Sequence, residues 1–317
     1  MPLDPSPVTG LHHVTAIAGD AARNADFHVR ALGRRLVKRT VNFDDPGTWH
    51  LYYGDETGAA GGVMTVFPWA HAPQGAVGAG QVSITQYAVP PGALAFWRAR
   101  LAAEDVHVVS EAETVFGETR DVFADPDGLL TALVETDDPR TPWTTEAIGA
   151  DVAIRGFHGV TLALREGETT TRILTEAFGY ETEGSAPAGG GTVTRLRRTG
   201  GVAGVVDLHV DPAMPAGREG VGTVHHVAFS VPDPDAQARV RAALAALGLA
   251  VTPRIDRQYF DAVYARTPGG VLFEVATETP GFAIDEPVET LGAALRLPDR
   301  YAPHRARIEA ALPPLGL

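Results

Sequence analysis

Four segments of this chain repeat one plan, and that repetition constrains the fold more than any other feature. They are Gly10-Leu11-His12-His13-Val14-Thr15, Gly80-Gln81-Val82-Ser83-Ile84-Thr85, Gly156-Phe157-His158-Gly159-Val160-Thr161 and Thr223-Val224-His225-His226-Val227-Ala228. They recur roughly 70 residues apart, and each opens a stretch rich in β-branched and alternating apolar residues, the pattern of a strand. A helical pattern follows each strand. In the fourth repeat Val240, Ala243, Leu244 and Leu247 share one helix face, and Gly248 stands where a helix ends. The third repeat has Leu174, Ala177 and Phe178 before Gly179, the second has Leu94, Trp97 and Leu101, and the first, more weakly, has Phe27, Ala31 and Leu32 before Gly33. Short apolar segments separated by turns such as Thr267-Pro268-Gly269-Gly270 complete each unit. The expectation is an α+β chain of four βαβββ modules. Thr136–Asp151 and Pro212–Gly222 read as linkers, and Arg300–Leu312 reads as a terminal helix.

Composition excludes several classes of protein. Of 317 residues, 44% are hydrophobic and 21% charged, which is globular. The chain has no cysteine, which removes disulfides, iron–sulfur clusters and thiol nucleophiles together. The net charge of −13, without a basic stripe, argues against nucleic acid as a partner. No apolar run suits a membrane span, and the first residues lack the pattern of a signal peptide. A cytoplasmic address is therefore expected, and an oligomer is compatible with the sequence.

The repeats differ at their fourth position: His13, Ser83, Gly159 and His226. Only the first and last of these can bind a transition metal. In the last strand of the fourth repeat, Glu274 sits inside Val271-Leu272-Phe273-Glu274-Val275, where a carboxylate costs several kcal/mol unless a partner or a metal holds it. Aligned on the preceding glycine, its counterpart in the first repeat is Val66 and in the second Ala132. Two histidines and one glutamate, with nothing metal-binding at the fourth corner, describe a 2-His-1-carboxylate set with open metal positions. It suits Fe(II), with Mn(II) as the alternative. Neighbours on a strand point opposite ways, so one histidine of each pair faces the site. The second of each is chosen because that position varies among the repeats. His12, His158 and His225 then share the other position, and His158, with no companion, reads as structural.

These residues, with Leu36-Val37-Lys38-Arg39-Thr40-Val41-Asn42-Phe43, Arg257-Gln258-Tyr259-Phe260, Tyr264 and Arg266–Glu274, resemble the vicinal oxygen chelate superfamily, and within it the ring-cleaving dioxygenases that act on hydroquinones. The similarity runs almost end to end. It implies that the modules form two open barrel-like units. Modules 1 and 2 make the N-terminal half (residues 1–148), and modules 3 and 4 with the terminal helix make the rest (residues 149–317). The metal site is expected between modules 1 and 4, and modules 2 and 3 should form a barrel without one. The resemblance further implies a mononuclear Fe(II) on His13, His226 and Glu274, with a small aromatic substrate and O2 as partners. His12, Thr15, His225, Arg257 and Tyr264 match positions around the metal in those enzymes. Chemically, Arg257 suits oxyanion stabilisation, Tyr264 a hydrogen bond to a bound oxygen, and His12 or His225 proton transfer. A glyoxalase-type lyase or isomerase is the first alternative, disfavoured by Val66 where a second glutamate would stand. A metal-free binding protein is the second, disfavoured by the retention of all three ligand types.

Overall fold

The structure is a computed structural model and describes residues 5–316. Each module contributes four strands. They are β1 Gly10–Ala18, β2 Arg35–Val41, β3 Trp49–Gly54 and β4 Val63–Pro68; β5 Gln81–Val89, β6 Val108–Val115, β7 Glu118–Ala124 and β8 Leu130–Glu135; β9 Gly156–Leu164, β10 Glu181–Ala188, β11 Gly191–Arg197 and β12 Val205–Val210; and β13 Thr223–Val231, β14 Ile255–Asp256, β15 Phe260–Arg266 and β16 Leu272–Pro280. The helices are α1 Ala21–Asp26, which continues as a π-helical turn over Phe27–Ala31, α2 Leu94–Ala103, α3 Glu168–Glu176, α4 Pro234–Ala246 and α5 Arg305–Ala311. Helix α4 shows why these segments start and stop where they do. The Asp233 carboxylate caps the Ala236 N–H at 2.8 Å, Pro234 opens the first turn, and Gly248 follows the end at φ +89°.

The strands form two curled eight-stranded sheets: one combines the first and last modules of the chain, the other its two middle modules. One runs β14-β15-β16-β13-β1-β4-β3-β2, joining module 4 to module 1; the other runs β10-β11-β12-β9-β5-β8-β7-β6, joining module 3 to module 2. Antiparallel β1–β13 and β5–β9 pairs make the two seams. Every residue of β1 and β9 is buried, so these strands carry apolar side chains on both faces. A continuous core links the two units: Phe178 beside α3 packs on Phe229 of β13, ring centroids 4.4 Å apart, and Phe27 meets Phe123 of β7 at 6.3 Å.

The expected terminal helix is only partly α-helical. Asp299–His304 is a 3-10 turn, because Pro303 has no N–H to continue α-type bonding, and α5 follows it. This C-terminal segment lies against the module 1–module 4 barrel. Buried Lys38 donates to the Glu286 and Asp285 carboxylates at 2.5 and 2.6 Å, and Tyr301 donates to the Phe43 carbonyl at 2.6 Å.

Candidate metal centre

His13 on β1, His226 on β13 and Glu274 on β16 converge inside the module 1–module 4 barrel. The two Nε2 atoms are 3.2 Å apart, and Glu274 Oε2 lies 3.4 Å from that of His13 and 3.0 Å from that of His226. Glu274 is completely buried, and neither of its oxygens has a hydrogen-bond partner among the described residues. Three donors ~2.1 Å from a common centre, at angles of ~90° to ~110°, stand about 3.0 to 3.4 Å apart, so the set has the dimensions of a metal site. Its charge state fits as well. Burial pushes the Glu274 carboxyl up, but the imidazoles of His13 and His226 beside it outweigh that and hold it well below the usual carboxylate range. Burial, against the pull of Glu274, lowers His226 to about 4, the direction that favours the metal-binding form of the ring. A buried anion facing two imidazole nitrogens with its own lone pairs unpaired is what a divalent cation would complete.

The register explains how one histidine of each pair reaches this centre with the other held against it. Along the β1–β13 seam, pairing passes from Leu11↔Phe229 to His13↔Ala228 and from Thr15↔His226 to Ala16↔Val224, so His12 and His225 are the unpaired residues of two β-bulges. Each bulge turns its ring onto the neighbouring one. His12 and His13 meet Nδ1 to Nδ1 at 3.0 Å, and His225 and His226 do the same at 2.7 Å. These contacts orient the rings with Nε2 of His13 and His226 turned inward, and when Nδ1 of each donates to its neighbour that Nε2 is left with a lone pair for a metal.

The same register corrects two alignments made on the sequence. The bulges of the other seam fall at Ser83 and His158, so Ser83 corresponds to His12, and the counterpart of His13 is Ile84. Glu274 pairs with Ala228 and Tyr264, whereas in module 1 the residue between Thr15 and Tyr52 is Thr65, not Val66. A glycine is a poor ruler here because a one-residue difference in a turn shifts every facing position. In module 3 the place of Glu274 is taken by Asp207 and that of Tyr264 by Arg195. Their bidentate pair, 2.8 and 2.9 Å, puts a guanidinium in the second barrel. Gly159 there has no room for a side chain, since a Cβ would lie 2.3 Å from the Val205 carbonyl oxygen. His158 instead meets Glu118 at 2.9 Å.

A cavity of ≈ 410 Å³ opens beside the triad, lined by His13, His226 and Glu274. One wall, from module 1, is aromatic: Tyr52, His50 and Phe67 follow one another at 4.1 and 4.4 Å, and Trp69 stacks on Phe67 at 5.3 Å. Phe260 closes the other side, 5.1 Å from His13. Of the residues singled out around the metal, His225, Arg257 and Tyr264 line this cavity. His12 and Thr15 are buried beneath it, Thr15 hydrogen-bonded to Thr65 at 2.9 Å. Arg257 Nε donates to the Tyr264 hydroxyl at 3.2 Å, and Nη1 donates to Asp44 at 3.1 Å; Asp44, rather than the adjacent Asp256 or nearby Asp261, is its carboxylate partner. Burial and the nearby Glu274 raise the Tyr264 phenol well above its ordinary range, so it stays protonated. Sequence reasoning missed His50 and Tyr52. Tyr52 OH and His50 Nδ1 are 2.8 Å apart, and His50 Nε2 reaches Thr65 at 2.8 Å. Tyr52 pairs with Thr65 as Tyr264 pairs with Glu274, so a repeat alignment in the correct register would have found it.

Comparison with known proteins agrees with this architecture. Residues 10–133 and 156–275 match the model of the Glyoxalase/Bleomycin resistance protein/Dioxygenase superfamily. MhqO of Bacillus subtilis (strain 168), whose name provisionally makes it a ring-cleaving dioxygenase, is 45% identical over 306 residues, covering 96% of each chain. A chlorohydroquinone/hydroquinone 1,2-dioxygenase of Sphingobium indicum is 38% identical over 302 residues, 92% of each. A crystal structure from Bacillus subtilis, provisionally titled a dioxygenase, superposes with a TM-score of 0.92 at 44% identity over 98% of both chains. Glyoxalase I from Zea mays shares the fold at a TM-score of 0.64 and 14% identity, over 86% of this chain and 93% of its own. With a family match that spans both barrels and relatives this similar along their whole length, the chain belongs to the glyoxalase/bleomycin resistance/dioxygenase superfamily.

Proposed function

We propose that this chain is a non-heme Fe(II)-dependent ring-cleaving dioxygenase of the extradiol type, which inserts O2 into a hydroquinone-type ring. The observation that carries the reading is the buried Glu274 carboxylate, unpaired and facing two imidazoles on the floor of an aromatic cavity. His13, His226 and Glu274 would hold the ion, which supplies the Lewis-acid and redox chemistry that couples an electron-rich ring to O2. The names of the relatives support the same class of reaction.

The rest is work for side chains. The module 1 wall and Phe260 form a slot for a flat ring and keep water from it. Arg257 donates to the Tyr264 oxygen, which leaves the phenol the role of donor toward a substrate oxygen, and the guanidinium places positive charge where an oxyanion would develop. His225 lines the slot and is the imidazole placed to take the proton of a substrate hydroxyl. His12 lies below the cavity and holds the ring of His13. A glyoxalase-type lyase would draw a second carboxylate from the fourth corner, where Thr65 stands.

The test is oxygen uptake by Fe(II)-loaded protein with hydroquinone and with catechol, the ring-opened product identified by mass. Stoichiometric uptake with hydroquinone is expected. Turnover that continues without O2 would sink the oxygenase reading, and metal analysis showing no ion bound would leave a binding protein.

A further inference from the structure

The mouth of the cavity carries an unequal set of charges. Arg257 is the only Lys or Arg that lines it among the described residues, whereas two carboxylates, Asp44 and Asp45, stand at the same opening. Arg257 is already engaged, with Nη1 on Asp44 at 3.1 Å and Nε on the Tyr264 hydroxyl at 3.2 Å. Asp44 comes from module 1 and Arg257 from module 4, so the pair closes the opening across the barrel. The backbone that carries Asp44 is fixed. Its N–H donates to Asn42 Oδ1 at 2.9 Å, and the preceding Phe43 carbonyl is held by Tyr301 at 2.6 Å. Asp45 is tied to Thr48 Oγ1 at 2.6 Å.

From this arrangement we propose that Asp44 is a specificity-determining residue, a charge filter that keeps Arg257 from pairing with anionic ring substituents and so restricts the cavity to uncharged rings. The proposal rests on the ring-cleaving reading above and narrows its substrate class. A carboxylate on the entering ring meets Asp44 and Asp45 first. To take Nη1 of the guanidinium it must displace Asp44, and at the remaining Nη2 it stands beside that carboxylate; either way several negative charges share one opening. A methyl, halogen or amide substituent meets no such barrier. Asp44 is 78% exposed on its side chain, so the filter acts by charge in partly screened surroundings, and salt should weaken it.

Two probes of one shape and different charge isolate the effect: 2,5-dihydroxybenzamide and 2,5-dihydroxybenzoate. Iron-loaded protein at low ionic strength should favour the amide in kcat/KM by about tenfold or more, the size expected of one like-charge encounter at a protein surface. Asp44→Asn should shrink that ratio several-fold, chiefly by raising kcat/KM for the benzoate, and added salt should shrink it in the parent protein. Asp44→Ser serves as a second variant without an amide that could itself bind the carboxylate. Calorimetric binding of both probes under argon reads the same ratio without turnover. Equal kcat/KM and equal affinity for the two probes in the parent protein, or an unchanged ratio in both variants, would overturn the filter. If no dihydroxylated ring is turned over but the binding ratio shifts as described, the oxygenase reading fails while the filter stands.

Discussion

At the scale of single residues, the decisive one is Glu274. A fully buried carboxylate without hydrogen-bond partners is tolerable only beside compensating charge. Glu274→Gln keeps the volume and removes the charge, and it should cost most of the bound metal while the protein stays folded. His226→Ala should do the same and His158→Ala should not, since His158 contacts Glu118 in the other barrel. Elemental analysis of the three variants decides it; full metal content in His226→Ala would mean that the ligand is a different histidine. Tyr264 and Arg257 belong to a different class of effect, because they touch the cavity without contributing to the triad. Tyr264→Phe and Arg257→Lys should lower kcat about 10- to 100-fold at unchanged iron content and with little change in substrate affinity. Lysine cannot replace the planar fork that reaches Tyr264 and Asp44 together. Parent-like oxygen uptake in both variants would return these residues to a structural role.

Among the elements, the π-helical turn Phe27–Ala31 holds an unusual histidine. His28 is 3% exposed, stacks on Tyr53 at 4.3 Å, and has no hydrogen-bond partner at either nitrogen among the described residues. Burial, with Arg34 nearby, lowers it to about 3. The sign of the consequence follows. The unfolded chain takes up this proton below about pH 6.5, the folded chain only near pH 3, so acid favours unfolding between those limits. By pH 5 the loss should be about 2 kcal/mol from this residue alone. His28→Phe keeps the stacking and removes the titration. Its unfolding free energy, from urea titrations at pH 7 and pH 5, should fall by about 2 kcal/mol less than that of the parent. Parallel pH dependence in the two proteins would show that His28 is hydrated in the fold.

The whole molecule is a duplication used unequally. Both barrels keep the bulged seam and the strand order, yet the second replaces the triad positions with Ile84, Gly159 and Asp207, and binds the aspartate to Arg195. The first barrel is further closed by the C-terminal segment, whose attachment centres on Lys38. Its ammonium is fully buried between Glu286, Asp285 and the Phe282 carbonyl, and it lies 4.8 Å from the ring centroid of Tyr259. Lys38→Met leaves Glu286 buried with Arg296 at 3.2 Å as its remaining cation, and should destabilise the protein by about 3–5 kcal/mol in urea unfolding. Lys38→Met with Glu286→Leu should recover much of that loss, because the uncompensated charge goes with its partner. A double variant no more stable than the single one would place the cost in lost packing instead.

The four-module plan, the helix stops and the three residues of the triad are written in the sequence itself. Hydrophobic period, turn chemistry and a carboxylate inside an apolar strand are local signals that need no partner to be read. Most of the first strand of each module was legible for the same reason. What lies across a sheet is not local. That Asp44 of module 1 meets Arg257 of module 4, and that His50 and Tyr52 form a wall facing Phe260, depend on which modules share a barrel. The fourth corner shows the difference most sharply. Alignment on a glycine gave Val66, while the ladder gives Thr65, and likewise Ile84 rather than Ser83 as the partner of His13 by symmetry. Side chains alternate with a period of two residues, so one step of register exchanges inside for outside, and bulges make that step without any mark in the composition. The sequence determined which chemistry this chain can hold; hydrogen-bond register between distant strands decided which side chains surround it.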